Sequence, residues 1–368
     1  MIFIALKNLF QEKTRLLISI GGVAFSVLLI LILQGLYQGF SYRMGEYIRS
    51  QPADFWVSDD KARDMFHSIS ILPLEYKAKI EAVAGVAKVS PFSARQIVVN
   101  IRGKREATYL VAYDSETGIG GPNKVVQGKQ YPDQGEIIID RVFANKQKLK
   151  IDDSLLIGVD NFKVAGISEG TNLVTFQYSF VTKQDAERTF KTADITNYFL
   201  VSMRDVDKNQ VAVNIEKQLP GTEVFTKQEF VENNTEFIRE TFLPIVLVLL
   251  IIGFAVGVAV IGLTIFTSTI EKAKEYGVLK AIGVKNNQLY QMVLGQAFVA
   301  GLIGYSLGVI LAFAVNQIVT RLVPEFISLF RLVDFILVLG ATLIMSLLAA
   351  YIPIRRIAVI NPAEVFKA

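Results

Sequence analysis

The chain contains no cysteine, which excludes disulfides, thiolate metal sites and cysteine nucleophiles in any compartment. Its single histidine, His67, supplies neither a multi-histidine zinc site nor a second histidine for a triad, and it reads as a surface residue. There is no arginine-rich tract and no basic stripe interleaved with aromatics, so the formal charge of +4 does not point to nucleic acid. H-E-x-x-H, G-x-S-x-G and zinc spacings are absent. The nearest approach to a phosphate loop, G-I-G-G-P-N-K-V from Gly118 to Val125, lacks the second glycine and the Ser/Thr after its lysine. It reads as a turn.

Charge is also missing from four long stretches: Leu16 to Phe40, and the runs between Glu240 and Glu271, Lys285 and Arg321, and Asp334 and Arg355. Each is long enough to cross a bilayer, which takes about 20 apolar residues. A mid-bilayer charge costs at least about 2.5 kcal/mol on insertion scales, so charges collect at the ends of such runs. The first run exceeds the apolar core of a signal peptide and no A-x-A site follows it, so it is expected to be retained. With no Asp, Glu, Lys, Arg or His inside the spans, an ion-coupled carrier pathway is disfavoured and energy for transport would come from elsewhere.

What is present is a chain of 368 residues, 52% hydrophobic and 20% charged, a mixture that suggests a membrane anchor plus a water-soluble domain. The expected fold class is a membrane protein with four transmembrane α-helices and an α+β extracytoplasmic domain inserted between helices 1 and 2. Residues 1–15 place Ile2, Phe3, Leu6, Leu9 and Phe10 opposite Lys7, Asn8, Gln11 and Glu12 and read as a cytoplasmic amphipathic helix. The spans are 16–40, 241–270, 292–320 and 335–354. Between them lie the extracytoplasmic domain (41–240), a loop (271–291) and a short outer loop (321–334), and a tail (355–368) follows. Within the inserted domain, strands are expected at Asp54–Val57, Gln96–Ile101, Ala107–Tyr113, Glu136–Ile139, Phe162–Ile167, Tyr178–Val181 and Tyr198–Met203. Helices are expected at Leu74–Val83, Val142–Lys148, Lys183–Phe190, Lys208–Leu219 and Lys227–Asn234.

Ten Lys/Arg residues flank the spans on the presumed inner side (Lys7, Lys13, Arg15, Lys272, Lys274, Lys280, Lys285, Arg355, Arg356 and Lys367), against Arg321 and Arg331 on the outer side. Both termini and the 271–291 loop are therefore expected in the cytoplasm. Gly35/Gly39, Gly253/Gly257 and Gly304/Gly308 are spaced for close helix approach. Pro244 near the start of the second span and Pro353 at the end of the fourth sit where a helix tolerates proline or terminates.

The segment E-K-A-K-E-Y-G-V-L-K-A-I-G, from Glu271 to Gly283, stands out. As a helix continuing from the second span it sets Glu271 and Glu275 one turn apart on one face, with Ala273, Gly277, Lys280 and Ala281 on another side, and breaks near Gly283. An ordinary inside loop has no need of Tyr276, Val278, Leu279 and Ile282, and exposed apolar side chains there suggest that something docks on them.

This segment resembles the cytoplasmic loop of FtsX-like, MacB-type (type VII) ABC transporter permeases. The C-terminal I-P-I-R-R-I-A-V-I-N-P-A-E-V-F-K-A and the stretch Gly135–Gly166 resemble the same family's ending and periplasmic core domain. The resemblance covers nearly the whole chain, but MacB itself carries a fused ATPase and this chain does not. It implies a homodimeric permease of the bacterial inner membrane served by a separate soluble ABC ATPase. ATP and Mg would bind to that partner, and no cofactor to this chain. Coupling to the ATPase would fall to Glu271, Lys274, Glu275, Tyr276, Gly277, Val278, Leu279, Lys280, Ala281 and Gly283, supported by Arg355 and Arg356. One subgroup works with a periplasmic adaptor and outer-membrane channel. Another, haem-exporter-like, takes an amphipathic ligand from the lipid, and a lateral substrate site would then use Tyr42, Arg43, Glu46, Tyr47, Arg239 and Glu240. A membrane-anchored sensor, or an FtsX-like regulator of an extracytoplasmic partner without transport, is the alternative. A hydrolase in the inserted domain has no supporting motif.

Overall fold

A computed structural model describes residues 13–173, 177–204, 207–323 and 326–359. The expected amphipathic helix lies outside the described residues apart from its last three positions, as does the N-P-A-E ending. Two compact units result, one of Met1–Gly39 with Thr241–Ala368 and the other of Phe40–Glu240. In chain order the elements are α1 (Lys13–Ser50), β1 (Phe55–Asp59), β2 (Leu72–Pro73), α2 (Tyr76–Glu81), β3 (Val86–Ile101), β4 (Lys104–Tyr113), β5 (Val125–Gly128), β6 (Glu136–Asp140) and α3 (Arg141–Gln147). They continue with β7 (Ser154–Ile157), β8 (Asp160–Ser168), β9 (Tyr178–Thr182), α4 (Lys183–Phe190), β10 (Ile195–Thr196), β11 (Tyr198–Met203), α5 (Lys208–Gln218) and β12 (Thr222–Thr226). Last come α6 (Lys227–Glu271), α7 (Ala273–Ala281), α8 (Asn286–Leu322) and α9 (Leu332–Ala358). Helices α1, α6, α8 and α9 are long and apolar enough to cross a membrane, and the mixed α and β unit is inserted between the first and second of them.

The inserted unit is built on one mixed sheet in the order β12-β1-β11-β3-β4-β9-β6-β8-β5. Strand β7 pairs with both β3 and β8, so β3, β4, β9, β6, β8 and β7 close into a ring. The long strand β3 serves two lobes. Its first half pairs with β11 and its second half with β4 and β7. Alternation in that second half sends Ile97, Val99 and Ile101 into the ring, where they meet Leu110, Ile137, Ile139, Phe162 and Val181. Arg102 and Gly103, at φ 51° and 85°, form the tight turn that joins β3 to β4. The open lobe has an aromatic core in which Trp56 stacks on Phe230 at 4.6 Å and Tyr47 lies 4.7 Å from Tyr178 between ring centroids. Aromatic side chains of this size bury about 150–250 Å² each, which lets few residues hold the lobe together.

The expected separate helix Lys227–Asn234 is instead the opening of α6. Thr226 and Glu229 form a reciprocal box there: Thr226 N–H donates to Glu229 Oε2 at 2.8 Å and Glu229 N–H to Thr226 Oγ1 at 3.2 Å. The helix runs on without interruption, so Pro244, near the start of the second apolar span, sits inside α6. In the other unit the spaced glycines serve packing within the chain. A Cβ on Gly304 would fall 2.5 Å from Val23 Cβ, and one on Gly253 would meet Leu29 and Ile30, so α8 and α6 approach α1 closely. Gly35 and Gly39 receive the segment before α9 rather than a helix: Leu329 N–H donates to the Gly35 carbonyl at 3.0 Å, and Ile327 fills the space over Gly39. Asp334 is buried at the start of α9, where it accepts from Arg331 N–H at 2.8 Å and Gln38 Nε2 at 2.7 Å.

Candidate functional site

Three threonines near the end of α6 turn their hydroxyls back onto the helix: Thr264 to the Val260 carbonyl, Thr267 to Leu263 and Thr269 to Ile265. Such back-bonding competes with the helix ladder and bends it. The helix accordingly ends at Glu271, Lys272 turns the chain at φ −89° and ψ 12°, and α7 begins at Ala273. The expected continuous helix is therefore two. At its far end Gly283 takes φ 97°, Gly283 N–H donates to the Lys280 carbonyl and Val284 N–H to the Leu279 carbonyl, both at 3.0 Å. Only glycine adopts that conformation without strain, and the paired bonds satisfy carbonyls the helix end leaves open.

The two sides of α7 differ. Tyr276, expected to be exposed, is 2% exposed because its ring joins the core formed with Ile261, Leu289, Val293 and Ile357. Gly277 is buried beside it, and Leu279 packs on the same core. Lys280 Nζ donates to the Ile357 carbonyl at 2.7 Å and the Ala358 carbonyl at 3.2 Å, so it caps the end of α9. Burial holds its pKa below the usual lysine value. On the other side, Glu271, Lys274, Glu275, Val278, Ala281, Ile282 and Gly283 are exposed, Val278 at 43% and Ile282 at 72%. Lys274, Glu275, Val278 and Ala281 recur at helical spacing on one face of α7, with Glu271 before the Lys272 turn and Ile282 and Gly283 just past the helix end. Glu271 forms an ion pair with Arg15 of α1. Arg355 and Arg356 are exposed in the last turns of α9, with the Arg355 guanidinium 4.7 Å from the Tyr351 ring centroid.

Of the residues of the expected lateral site, Tyr47 alone is withdrawn from the surface. Tyr47 is 2% exposed and donates its hydroxyl to the Gly120 carbonyl at 2.5 Å, which withdraws it from any ligand at a lipid boundary. Desolvation raises its pKa well above the ordinary tyrosine value. Tyr42 is exposed beneath the Arg49 guanidinium, at 4.7 Å. Arg43 pairs with Glu46 at 2.5 Å, Arg239 pairs with Glu236 at 2.7 Å, and Glu240 is exposed. The pairs recorded for the two helices are internal to each. Sequence reasoning missed the Lys280 cap and the partnership of Arg15 with Glu271. A lysine in the last turn of α7 was the available signal for the first, but its acceptor lies 77 residues away. Among the described residues no three His, Asp or Glu side chains converge to hold a metal ion.

Two families match the chain in tandem: the MacB-like periplasmic core domain over residues 16–218 and the FtsX-like permease C-terminal region over residues 247–362. A protein of Mycobacterium tuberculosis (strain CDC 1551 / Oshkosh), named as an ABC transporter permease, is 22% identical over 100% of this chain and 99% of its own. A protein of Staphylococcus epidermidis (strain ATCC 12228 / FDA PCI 1200), named as a hemin transport system permease, HrtB, is 20% identical over 98% of both chains. The periplasmic region of MacB from Actinobacillus actinomycetemcomitans aligns with a TM-score of 0.40 at 11% identity, over 53% of this chain and 95% of that one. The chain belongs to the FtsX-like, MacB-type permeases of ABC transporters, multi-pass inner-membrane proteins whose membership implies an ATPase partner.

Proposed function

We propose that the exposed face of α7 seats a separate ATPase subunit in the cytoplasm and passes its ATP-driven motion through the bundle to the inserted unit, for export or extraction of a substrate. The observation that carries this reading is the contrast between the two sides of α7. One side is fixed by Tyr276, Gly277, Leu279 and Lys280, and the other offers Glu271, Lys274, Glu275, Val278, Ala281, Ile282 and Gly283 to solvent. Exposed apolar side chains set among charges are what a docked partner would cover. Arg355 and Arg356 flank this surface as a second contact. The chain works as a homodimer with two ATPase copies, and the ATPases hold ATP and Mg. Helices α1 and α6 are each unbroken through the boundary residues of the two units, and they supply the covalent route for the motion.

The substrate contact falls on Tyr42, Arg43, Glu46, Arg239 and Glu240, with Tyr47 removed from the set by its burial. A periplasmic adaptor and an outer-membrane channel belong to this reading only if the cargo must cross a second membrane. Coexpression with the cognate ATPase tests the proposal. Glu275→Lys and Val278→Asp are expected to abolish copurification and stimulated ATP hydrolysis while leaving the thermal unfolding of the permease unchanged. Full ATPase capture by both variants would sink it.

A further inference from the structure

A cavity of about 680 Å³ opens within the inserted unit, and none of the residues of the lateral site lines it. One wall is the loop Met65–Ile71, and it is built to stay in place. Tyr109 donates its hydroxyl to the Met65 carbonyl at 2.6 Å, Tyr198 donates to the Asp64 carbonyl at 2.8 Å, and Asn234 Oδ1 accepts from Met65 N–H at 2.9 Å. Desolvation raises the pKa of both tyrosines, so they remain protonated donors. Asp64 Oδ1 accepts the N–H groups of Phe66 and His67, at 2.8 and 2.7 Å, and fixes the turn from within. The opposite wall comes from α4, and β3 and β4 line the space between.

The lining combines apolar bodies with basic groups. Phe66, Phe190 and Ile195 contribute hydrocarbon, while Arg95, Lys183 and His67 contribute the titratable nitrogen. Among the described residues no aspartate or glutamate lines the cavity. Lys183 is already matched, by Glu187 at 2.8 Å, and His67 Nδ1 lies 3.0 Å from Asp64 Oδ1. Arg95 is different. Its guanidinium sits 4.6 Å from the Phe190 ring centroid, and no described carboxylate lies within ion-pair distance of it. Arg95 is itself exposed where it lines the cavity, and the ring stacks on the planar cation without neutralising its charge, so the donor fork can take a carboxylate, sulfonate or phosphate. The volume is that of a small-molecule pocket.

We infer that this cavity binds a small amphipathic anion, with the acid group on Arg95 and the apolar body between Phe66 and Phe190. Trp56, the single tryptophan, provides the readout, since its ring lies 5.9 Å from that of Tyr198, a lining residue. Dansylglycine, an anionic fluorophore, is titrated into the full-length protein in lipid nanodiscs while energy transfer from Trp56 is followed. Saturable transfer is expected. The uncharged dansylglycinamide should bind about tenfold more weakly, Arg95→Gln should weaken dansylglycine by about the same factor, and Arg95→Lys should lose less. Arg105→Gln, at an arginine on β4 that does not line the cavity, should bind as the parent does. Displacement by dihexanoylphosphatidylglycerol would assign the natural anion to a lipid, and displacement by decanoate alone would assign it to a free acid. Equal binding of the charged and uncharged probes, unaltered binding by a folded Arg95→Gln variant, or no saturable transfer up to millimolar probe would overturn the inference.

Discussion

At Gly308 an added Cβ would lie 2.7 Å from Val27 Cβ and 2.8 Å from the Ala24 carbonyl oxygen, whereas at Gly257 the nearest atom is Met345 Sδ at 2.7 Å. A helix backbone cannot give way locally, but a thioether can swing aside. Gly308→Ala is therefore expected to lower stability by about 1–3 kcal/mol and Gly257→Ala by less than about 1 kcal/mol. Thermal unfolding of the purified full chain measures both, and equal midpoints would show that α1 and α8 are less closely matched than they look. Tyr47 carries a different lesson at this scale. Its neighbours Arg43 and Glu46 made it look like part of a polar belt, yet its ring is claimed by Tyr178, Phe92 and Phe180. Those partners are distant in sequence, and no local pattern announces them.

Among the elements, α7 separates two kinds of lysine. Lys280 fills the open carbonyls of α9, while Lys274 points away from the bundle. Lys280→Met is expected to lower the thermal midpoint of the permease alone, at a cost of about 0.5–2 kcal/mol for a lost cap, and Lys274→Met to leave it unchanged. In the presence of the ATPase the order should reverse, with Lys274→Met weakening capture the more. Thermal unfolding and copurification of the two variants side by side check this. The helices were legible because their signals are local: Lys183–Phe190 begins after Thr182, whose hydroxyl accepts from Asp185 N–H, and Lys208–Gln218 begins after Asp207. Strands whose reason is a distant partner were not. β12 owes its existence to pairing with β1, β7 is held against β3 as well as in its short hairpin with β8, and Pro91 disguised the first half of β3. The segment Glu271–Gly283 was legible as a charged helical connection between two long apolar helices. Which of its side chains face outward depended on the core beneath Tyr276, and that core is assembled from other helices.

For the whole molecule, the absence of cysteine makes a single introduced thiol a clean reporter of topology. Val159, 89% exposed in the inserted unit, and Ile282, beside α7, should be on opposite sides of the membrane. In spheroplasts, Val159→Cys is expected to react with a membrane-impermeant maleimide at once, and Ile282→Cys only after the membrane is opened. The reverse pattern would invert the orientation and remove α7 from any cytoplasmic ATPase. The same bundle also sets a timetable for synthesis. α1 is made first, but the residues that fit its surface, Val260 against Gly22, Gly304 against Val23 and Gly308 against Val27, are translated only after the entire inserted unit. Until then the nascent helix must be retained in the bilayer by its own uncharged length. A polar change at Val23 or Val27 would thus be felt twice, once during insertion and again when α8 arrives to pack.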